Sequence, residues 1–162
     1  MLAIRRQALF IGLLVLLDQV TKSWAVSALG DGRVIHVIGS LQFSLGFNSG
    51  FAFSQGQGMG PLVGIFAIIA VLFLLRAVRK ATSQLSAMAL CAVVAGALGN
   101  IADRIFRGEG WLHGRVVDFI DVQWWPVFNV ADSSITVGAC ALIAAMLVES
   151  RNGKGVDNAH ES

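Results

Sequence analysis

Two aspartates, Asp118 and Asp132, lie at the borders of apolar segments. Asp118 stands among apolar residues in the stretch Arg-Val-Val-Asp-Phe, and Asp132 opens an apolar block, one helical turn after Asn129. Neighbouring carboxyl groups at an apolar boundary share a proton, because two like charges cannot both ionise cheaply there. One carboxylate then activates a water for attack on a carbonyl, while its protonated partner polarises the carbonyl and protonates the leaving amine. Taken separately, Asp132 is equally well explained as a helix cap and Asp118 as a surface acid.

A second polar group lies in the stretch GALGNIADR. Asn100, Asp103 and Arg104 stand at positions i, i+3 and i+4, so they project from one face of a helix. Gly96 and Gly99 precede them and allow another backbone to approach closely. An ordinary Asp–Arg pair at a helix end explains the same pattern without any catalytic role.

A third polar group is the pair Asp18 and Lys22. These residues are four apart within an apolar block, with the acid first, which is the favourable order for a pair on one helix face. Ionisable residues inside spanning segments are costly and are a functional hypothesis by default. The alternative is an ion pair that fixes the first helix in a bundle.

The composition indicates that these polar groups belong to a membrane protein. Of the 162 residues, 56% are hydrophobic and 14% are charged, whereas soluble domains carry about 25% charged residues. The formal net charge of +2 is too small for a surface that binds nucleic acid. One compact integral membrane domain is therefore expected.

Apolar blocks at about 8–29, 61–78, 85–105 and 126–148 each approach the roughly 20 residues that a spanning helix needs. Pro61 and Pro126 begin two of these blocks, which suits the first turn of a helix. The sequence thus predicts an all-α bundle of four transmembrane helices, with residues 1–149 forming a single domain.

Basic residues near the ends of the blocks predict the orientation, because cytoplasmic flanks are enriched in Lys and Arg. With both termini inside, seven cations flank the inner side and four the outer side. The inner set is Arg5, Arg6, Arg76, Arg79, Lys80, Arg151 and Lys154, and the outer set is Arg33, Arg104, Arg107 and Arg115. Trp111, Trp124 and Trp125 then lie on the outer side, as interfacial aromatic residues do.

Two outer segments have the pattern of strands. Residues 34–56 alternate and are rich in Val, Ile, Phe, Ser and Gly, and residues 113–125 form a second extended piece. They predict a small extracytoplasmic β-sheet, or cradle, resting on the bundle, with an extended outer loop. The polar residues 150–162 predict a disordered cytoplasmic tail.

The cysteines and histidines give no support for a metal site or thiol chemistry. Cys91 and Cys140 lie inside apolar blocks, where cysteine acts as a small hydrophobic residue. His36, His113 and His160 are scattered without metal-ligand spacing. The sequence therefore predicts neither a metal nor another cofactor.

Five stretches of the chain resemble, in order, the lipoprotein signal peptidase family, also called signal peptidase II. They are LLDQVTKSW, FNSGFAFS, AGALGNIADRI, GRVVDFIDV and FNVADSSITVG. The resemblance implies an aspartic endopeptidase of the bacterial cytoplasmic (inner) membrane, with its active site at the outer face. Its substrates would be diacylglyceryl-modified prolipoproteins, cut on the N-terminal side of the lipidated cysteine, and its other partners membrane lipids.

The resemblance also implies roles for individual residues. Asp118 and Asp132 match the catalytic pair, and Asp18 and Lys22 match a structural intramembrane pair. Residues that bind substrate or support the site are Asn48, Asn100, Asp103, Arg104 and Asn129. The stretch Gly108–Leu112 is similar to a loop insertion.

The phenylalanine-rich segment around Asn48 has two interpretations. Phe43, Phe47, Phe51 and Phe53 either clamp the peptide from above or anchor the segment at the membrane interface.

Two other classes of protein stay open on the residues alone. A four-span transporter or channel would use the buried Asp, Lys and Arg as an ion or proton path, and a non-catalytic subunit would use them to lock helices together. The oligomeric state is open as well.

Overall fold

The computed structural model describes residues 2–50 and 59–160. Their element order is α1 (Leu2–Leu29), β1 (Ile35–Ile38), β2 (Leu41–Asn48), α2 (Gly60–Val78), α3 (Gln84–Phe106), β3 (Val116–Asp121) and α4 (Val130–His160). Within the described residues, four helices are long and apolar enough to cross a membrane: α1, α2, α3 and the Val130–Ser150 part of α4. The predicted four-helix membrane fold with a small sheet is confirmed. The predicted strand residues 51–56 lie outside the described residues.

Helix α3 lies at the centre of the bundle and contacts each of the other three helices. In its most apolar window 61% of the residues are buried, against 17–22% in the other helices. The two glycines singled out in the sequence explain its closest contacts. A Cβ at Gly96 would collide with the backbone carbonyl of Ala131 in α4, and one at Gly99 would collide with the carboxylate of Asp18 in α1. The small residues therefore bring α1 and α4 onto α3 at the level of the polar groups.

The three strands form one antiparallel sheet in the order β1-β2-β3. Strand β3 is the buried strand, whereas all four residues of β1 are exposed. The sheet packs on the last turns of α1 through Phe119, which clusters with the fully buried Ala25 and Leu29. Trp24 meets the rings of Phe43 and Phe119 edge-on, at centroid distances of 5.4 and 6.1 Å, an arrangement that aromatic pairs prefer.

Helices α2 and α4 begin differently from each other. Pro61 lies in the first turn of α2, as predicted. The prediction that Pro126 opens the fourth helix is wrong, because α4 begins at Val130. The segment before it folds back on β3 instead: Phe128 accepts hydrogen bonds from the backbone N–H groups of Phe119 and Ile120 and donates one to Ile120.

Helix α4 also runs further than the fourth apolar block. It continues to His160, so residues 150–160 extend the helix where the sequence predicts a disordered tail. Extending an existing helix fixes one residue per hydrogen bond and avoids the cost of nucleation, which explains why polar residues can follow the span in helical form.

Candidate active site

Asn129 and Asp132 hold each other at the start of α4. The backbone N–H of Asp132 donates to Asn129 Oδ1 at 2.8 Å, and the backbone N–H of Asn129 donates to Asp132 Oδ2 at 3.3 Å. This reciprocal arrangement resembles a capping box, in which two side chains satisfy N–H groups that the first helical turn leaves unpaired. The cap fixes the position of the Asp132 carboxyl group.

The same asparagine reaches across to β3. Asn129 is fully buried, and its oxygen faces the Asp132 N–H, so its Nδ2 must point the other way. That nitrogen donates to Asp118 Oδ1 at 2.7 Å. A single amide therefore connects the two aspartates that the sequence identified, one on β3 and the other in the first turn of α4.

Lys22 forms the centre of a buried polar cluster beneath the aspartates. Its Nζ lies 2.9 Å from Asp18 Oδ2, 2.9 Å from Asp103 Oδ2 and 2.9 Å from Asn100 Oδ1. An ammonium group has three N–H donors, and these three acceptors match them. Lys22 is fully buried, so it ties α1 to α3 and keeps no donor for another molecule.

The contact with Lys22 fixes the orientation of the Asn100 amide. A flipped amide would place its NH₂ group against the ammonium, so Oδ1 must face Lys22. The Nδ2 of Asn100 then donates to Asp132 Oδ1 at 2.8 Å. Asp132 consequently accepts hydrogen bonds from Asn100 and from the Asn129 backbone, and Lys22 sets the direction of the first.

Asp18 and Asp103 connect this cluster to the neighbouring elements. Asp18 Oδ1 accepts from the backbone N–H of Ala131 at 2.8 Å, so α1 supplies a cap to α4. Asp103 Oδ2 accepts from the backbone N–H of Val117 at 3.1 Å, which fixes β3 next to Asp118. Asp103 forms its ion pairs with Lys22 and Arg107. The alternative prediction of an ordinary pair between Asp103 and Arg104 at the helix end is therefore wrong.

Burial makes Asp118 an unusual acid. It is 7% exposed, and desolvation, followed by the nearby charge of Asp132, raises the pKa of Asp118 to about 7. The hydrogen bond from Asn129 acts in the opposite direction but is the smaller effect. Asp121, three residues along the same strand, is the contrast: hydrogen bonds led by that from Gln42 lower its pKa. The raised pKa therefore belongs to the position of Asp118 and is not a general property of the strand.

Both aspartates line a cavity of about 410 Å³. Its polar wall also contains Asn48, Asn100 and Arg104, and its apolar walls come from helices α2, α3 and α4, from β3 and from residues 125–128. Asn48 Oδ1 accepts from the backbone N–H of Gly50 at 2.9 Å, and the Gly50 carbonyl accepts from Arg104 Nη2 at 2.7 Å. These contacts hold the end of β2 over α3.

Arg104 keeps one free donor at this cavity. The side chain is 5% exposed, and its Nη1 has no hydrogen-bond partner among the described residues. A buried guanidinium nitrogen without a partner is costly.

The structure thus brings together all nine site residues named from the sequence. Eight lie in the Lys22 cluster, on the cavity wall or in both; the ninth, Asn129, connects the two aspartates. Two further residues, Gln19 and Arg107, belong to the Lys22 cluster but were not predicted from the sequence. Gln19 Nε2 donates to Asp18, to Asp103 and to the Gly99 carbonyl, and Arg107 Nε donates to Asp103. Their positions next to Asp18 and one turn after Asp103 were the only hints.

The phenylalanines divide into different roles. Phe43 packs against Trp24 and Phe119 in the core under the sheet, so it does not clamp a peptide. Phe47 is 48% exposed and carries the Arg115 guanidinium over its ring at 5.3 Å. Phe51 and Phe53 lie outside the described residues.

The loop of residues 108–112 packs against the first turns of α2 through Leu112. Leu112 has a left-handed backbone, with a φ of 60°, and its side chain is fully buried. It packs against Gly64 of α2, where a Cβ would collide with it. Among the described residues no group of three or more His, Cys, Asp or Glu side chains is placed to hold a metal.

Two aspartates, connected through the side chain of Asn129 and lining one cavity at the end of a four-helix membrane bundle, are the features of a membrane-embedded aspartic peptidase. Comparison with known proteins agrees with this class. Residues 10–148 match the family model described as signal peptidase (SPase) II. The chain belongs to the signal peptidase II family, a family of proteases that remove signal peptides from prolipoproteins. Family membership decides against the alternatives of a transporter, a channel or a non-catalytic subunit.

Individual relatives and solved structures give the same result. The chain is 42% identical over 147 residues to a lipoprotein signal peptidase of Rhodococcus jostii (strain RHA1), covering 89% of this chain and 74% of that protein. It is 41% identical over 140 residues to one of Mycobacterium tuberculosis (strain ATCC 25618 / H37Rv), covering 85% and 69%. A bacterial membrane enzyme solved by the in meso method at 2.3 Å resolution superposes with a TM-score of 0.82 at 32% identity, over 92% of each chain.

Proposed function

We propose that Asp118 and Asp132 are the catalytic pair with which this signal peptidase II cuts prolipoproteins. The bond broken is the one on the N-terminal side of the cysteine that carries the diacylglyceryl group. The observation that carries the proposal is the Asn129 amide, which holds one carboxyl group through its Nδ2 and the other residue's backbone through its Oδ1. The charge of Asp132 also acts on Asp118 and raises its pKa, which favours a pair of acids that shares one proton.

The hydrogen bonds favour a division of roles between the two acids. Asp132 accepts from Asn100 and from the Asn129 backbone, and these donors stabilise its charged form. Burial and the charge of Asp132 raise the pKa of Asp118 to about 7, and we therefore assign the proton of the pair to Asp118 below that pH. Asp132 then takes a proton from a water while Asp118 donates to the carbonyl oxygen of the substrate.

The second half of the reaction returns the pair to its starting state. The water oxygen has added to the carbonyl carbon, and the C–N bond breaks as the leaving nitrogen takes the proton now held by Asp132. Asp118 recovers a proton from the newly formed carboxyl group. The pair therefore ends the turnover with one proton, as it began, and no covalent intermediate is needed.

Arg104 and Asn48 are placed to hold the peptide. The unpaired Nη1 of Arg104 gains an acceptor when a substrate carbonyl enters the cavity. Asn48 lines the same wall, and its Nδ2 is available to the peptide while its Oδ1 holds Gly50. Such contacts position the scissile bond at the carboxyl pair.

The apolar walls of the cavity fit the lipid part of the substrate. Val63 and Ala67 of α2, Ala97 and Ile101 of α3 and Ile135 of α4 line it. Each buried CH₂ group contributes about 0.8 kcal/mol, so two acyl chains along these helices would favour the modified precursor strongly over the unmodified one.

The proposed location is the bacterial cytoplasmic membrane, with both termini cytoplasmic and the carboxyl pair at the outer face. The support is the charge distribution at the ends of the helices. Arg5, Arg6, Arg76, Arg79 and Lys80 lie at the end of the bundle opposite the aspartates, and cytoplasmic flanks are enriched in such residues. The exposed side chains of Trp111 and Trp124 lie at the aspartate end, where they fit a membrane interface.

The test is cleavage of a diacylglyceryl-modified precursor and its unmodified form by purified enzyme, with products identified by mass spectrometry. Asp118→Asn and Asp132→Asn are expected to lower kcat by at least about a thousandfold, as the loss of a principal acid or base does, while both variants stay folded. Asp121→Asn on the same strand is the matched control and is expected to keep wild-type activity. Substantial turnover by either dyad variant, or equal cleavage of both precursors, would contradict the proposal.

A further inference from the structure

A second cavity, of about 520 Å³, lies at the end of the bundle opposite the aspartates. It is formed by the first turns of α1, the last turn of α2 with the residues that follow it, and the first turns of α3. Its walls are mixed: Arg6, Gln7, Arg79 and Gln84 supply polar groups, and Val78, Ala87 and Met88 supply an apolar base. Nothing in the catalytic proposal uses this cavity.

The cations here differ from those at the aspartate end. There, Arg33 pairs with Asp31, Arg107 pairs with Asp103, and Arg115 lies over Phe47. Here, neither Arg6 nor Arg79 forms an ion pair with any acid whose side chain the structure describes. The same is true of their neighbours Arg5, Arg76 and Lys80, so five cations at this end lack a described counter-charge.

Glu149 is the one acid at this end among the side chains that the structure describes. Its carboxylate accepts from the hydroxyl groups of Thr82 and Ser86, at 2.8 and 3.0 Å. Glu149 therefore ties α4 to the start of α3, and it forms no ion pair with Arg6 or Arg79 among the described side chains. It reduces the positive charge around the cavity without neutralising it.

We propose that this cavity binds the headgroup of an anionic phospholipid. Arg6 and Arg79 would contact the phosphate, because a guanidinium group matches phosphate oxygens with two parallel donors. The acyl chains would lie along the exposed apolar surface next to the cavity, where Leu2 and Ile4 are 80% and 68% exposed. A soluble phosphate would gain the arginine contacts but not the apolar ones, and a zwitterionic lipid carries no net charge for five cations to attract.

The experiment is a lipid titration of the full-length, delipidated protein in detergent, followed by native mass spectrometry. Phosphatidylglycerol is the anionic probe, phosphatidylcholine the zwitterionic one and inorganic phosphate the headgroup-free one. The wild type is expected to bind one phosphatidylglycerol in preference to both other probes. The double variant Arg6→Gln/Arg79→Gln is expected to lose that preference roughly tenfold or more, because each basic residue near an anionic headgroup adds to binding.

Two further variants distinguish loss of the binding site from unfolding of the protein and from the general loss of a positive charge. Arg33→Gln removes a positive charge at the other end and is expected to bind phosphatidylglycerol like the wild type. Gln84→Glu adds a negative charge to the cavity wall in the first turn of α3, where an acid stabilises the helix, so it is expected to weaken lipid binding while the protein stays folded. Equal phosphatidylglycerol binding by wild type and both cavity variants would overturn the proposal. The proposal would also be overturned if Arg33→Gln lost as much phosphatidylglycerol binding as the double variant, or if the wild type bound inorganic phosphate as tightly as phosphatidylglycerol. Peptidase activity of the double variant is expected to be unchanged, so this test is independent of the one for the catalytic pair.

Discussion

Asn129 donates a hydrogen bond of 2.7 Å from its Nδ2 to Oδ1 of Asp118. The bond crosses from the first turn of α4 to β3, and the orientation of the donor is fixed because Asn129 Oδ1 accepts the backbone N–H of Asp132. The position of the Asp118 carboxyl group relative to the helical turn that carries Asp132 therefore depends on one buried amide.

Replacing this amide is expected to reduce catalysis more than a local change nearby. Asn129→Ala removes the donor to Asp118 and the acceptor for the Asp132 N–H, and each buried group left unpaired costs about 1–3 kcal/mol. We expect kcat to fall by roughly ten- to a hundredfold. Steady-state cleavage of the modified precursor measures the effect.

Ser133→Ala is the matched control for this change. The Ser133 hydroxyl donates to the backbone carbonyl of Asn129 at 2.9 Å, so the variant loses a hydrogen bond in the same turn without altering either carboxyl contact. Equal losses of kcat in the two variants would show that the turn, and not the amide, matters.

Lys22 is expected to stabilise the fold rather than take part in the reaction. Its three donors are occupied by Asp18, Asp103 and Asn100, so Lys22→Met leaves the buried carboxylate of Asp18 without a cation and Asp103 with Arg107 alone. Breaking a buried ion pair by removing one partner costs about 3–5 kcal/mol. We expect a lower thermal unfolding temperature in detergent, with partial recovery in Lys22→Met/Asp18→Asn because one buried charge is then removed. A Lys22→Met protein as stable as the wild type but inactive would mean that Lys22 acts in catalysis.

Arg104 is expected to act in substrate binding. Its Nη1 is buried without a partner, and a hydrogen bond to a charged group contributes about 1.5–3 kcal/mol. Arg104→Gln should therefore raise KM roughly tenfold or more, with a smaller effect on kcat, since the contact forms in the bound substrate as well as in the transition state.

Arg107→Gln is the control for the charge and the helix. Arg107 lies about one helical turn after Arg104 on α3, and it pairs with Asp103 at 2.8 Å. It does not line the cavity, so Arg107→Gln should lower the stability of the protein and leave KM unchanged. A lower kcat with an unchanged KM in Arg104→Gln would place Arg104 in the chemical step instead of in binding.

The sequence was sufficient to predict four spanning helices, a small sheet and the polar helix faces, although not the start of α4, because each of these depends on local patterns. Asn100 and Asp103 lie on one face of α3 whatever the rest of the fold does. The contact of Lys22 with Asp103 was not predictable in this way, since it depends on how closely Gly99 lets α1 approach α3. The same holds for the free nitrogen of Arg104, which depends on the path of the chain at Gly50.

The sequence carries two different signals for the start of α4. Pro126 favours a helix that begins there, whereas the spacing Asn129-x-x-Asp132 has the form of a capping box and favours a start just after Asn129. The structure begins the helix at Val130, directly after Asn129. Recognising the cap from the sequence would have placed the helix start and the connection between Asn129 and Asp132 together.

The central claim is that Asp118 and Asp132 titrate as a coupled pair with one proton at neutral pH. Burial and the charge of Asp132 raise the pKa of Asp118 to about 7 from an ordinary value of 3.8. The folded state therefore holds this proton up to about pH 7 and loses it above that. Because the reaction needs one protonated and one ionised carboxyl group, the activity should fall as the pH rises through the same range.

The most direct measurement is an infrared titration of the Asp118 carboxyl group, isotope-labelled at aspartate, in the wild type and in Asp132→Asn. The coupled pair predicts a protonated carboxyl band that disappears near pH 7 in the wild type. In Asp132→Asn the band should disappear at a lower pH, because the neighbouring negative charge is gone, though still above the ordinary value, because burial remains the larger cause. A titration of Asp118 at the same pH in both proteins, or near its ordinary value in the wild type, would contradict the account.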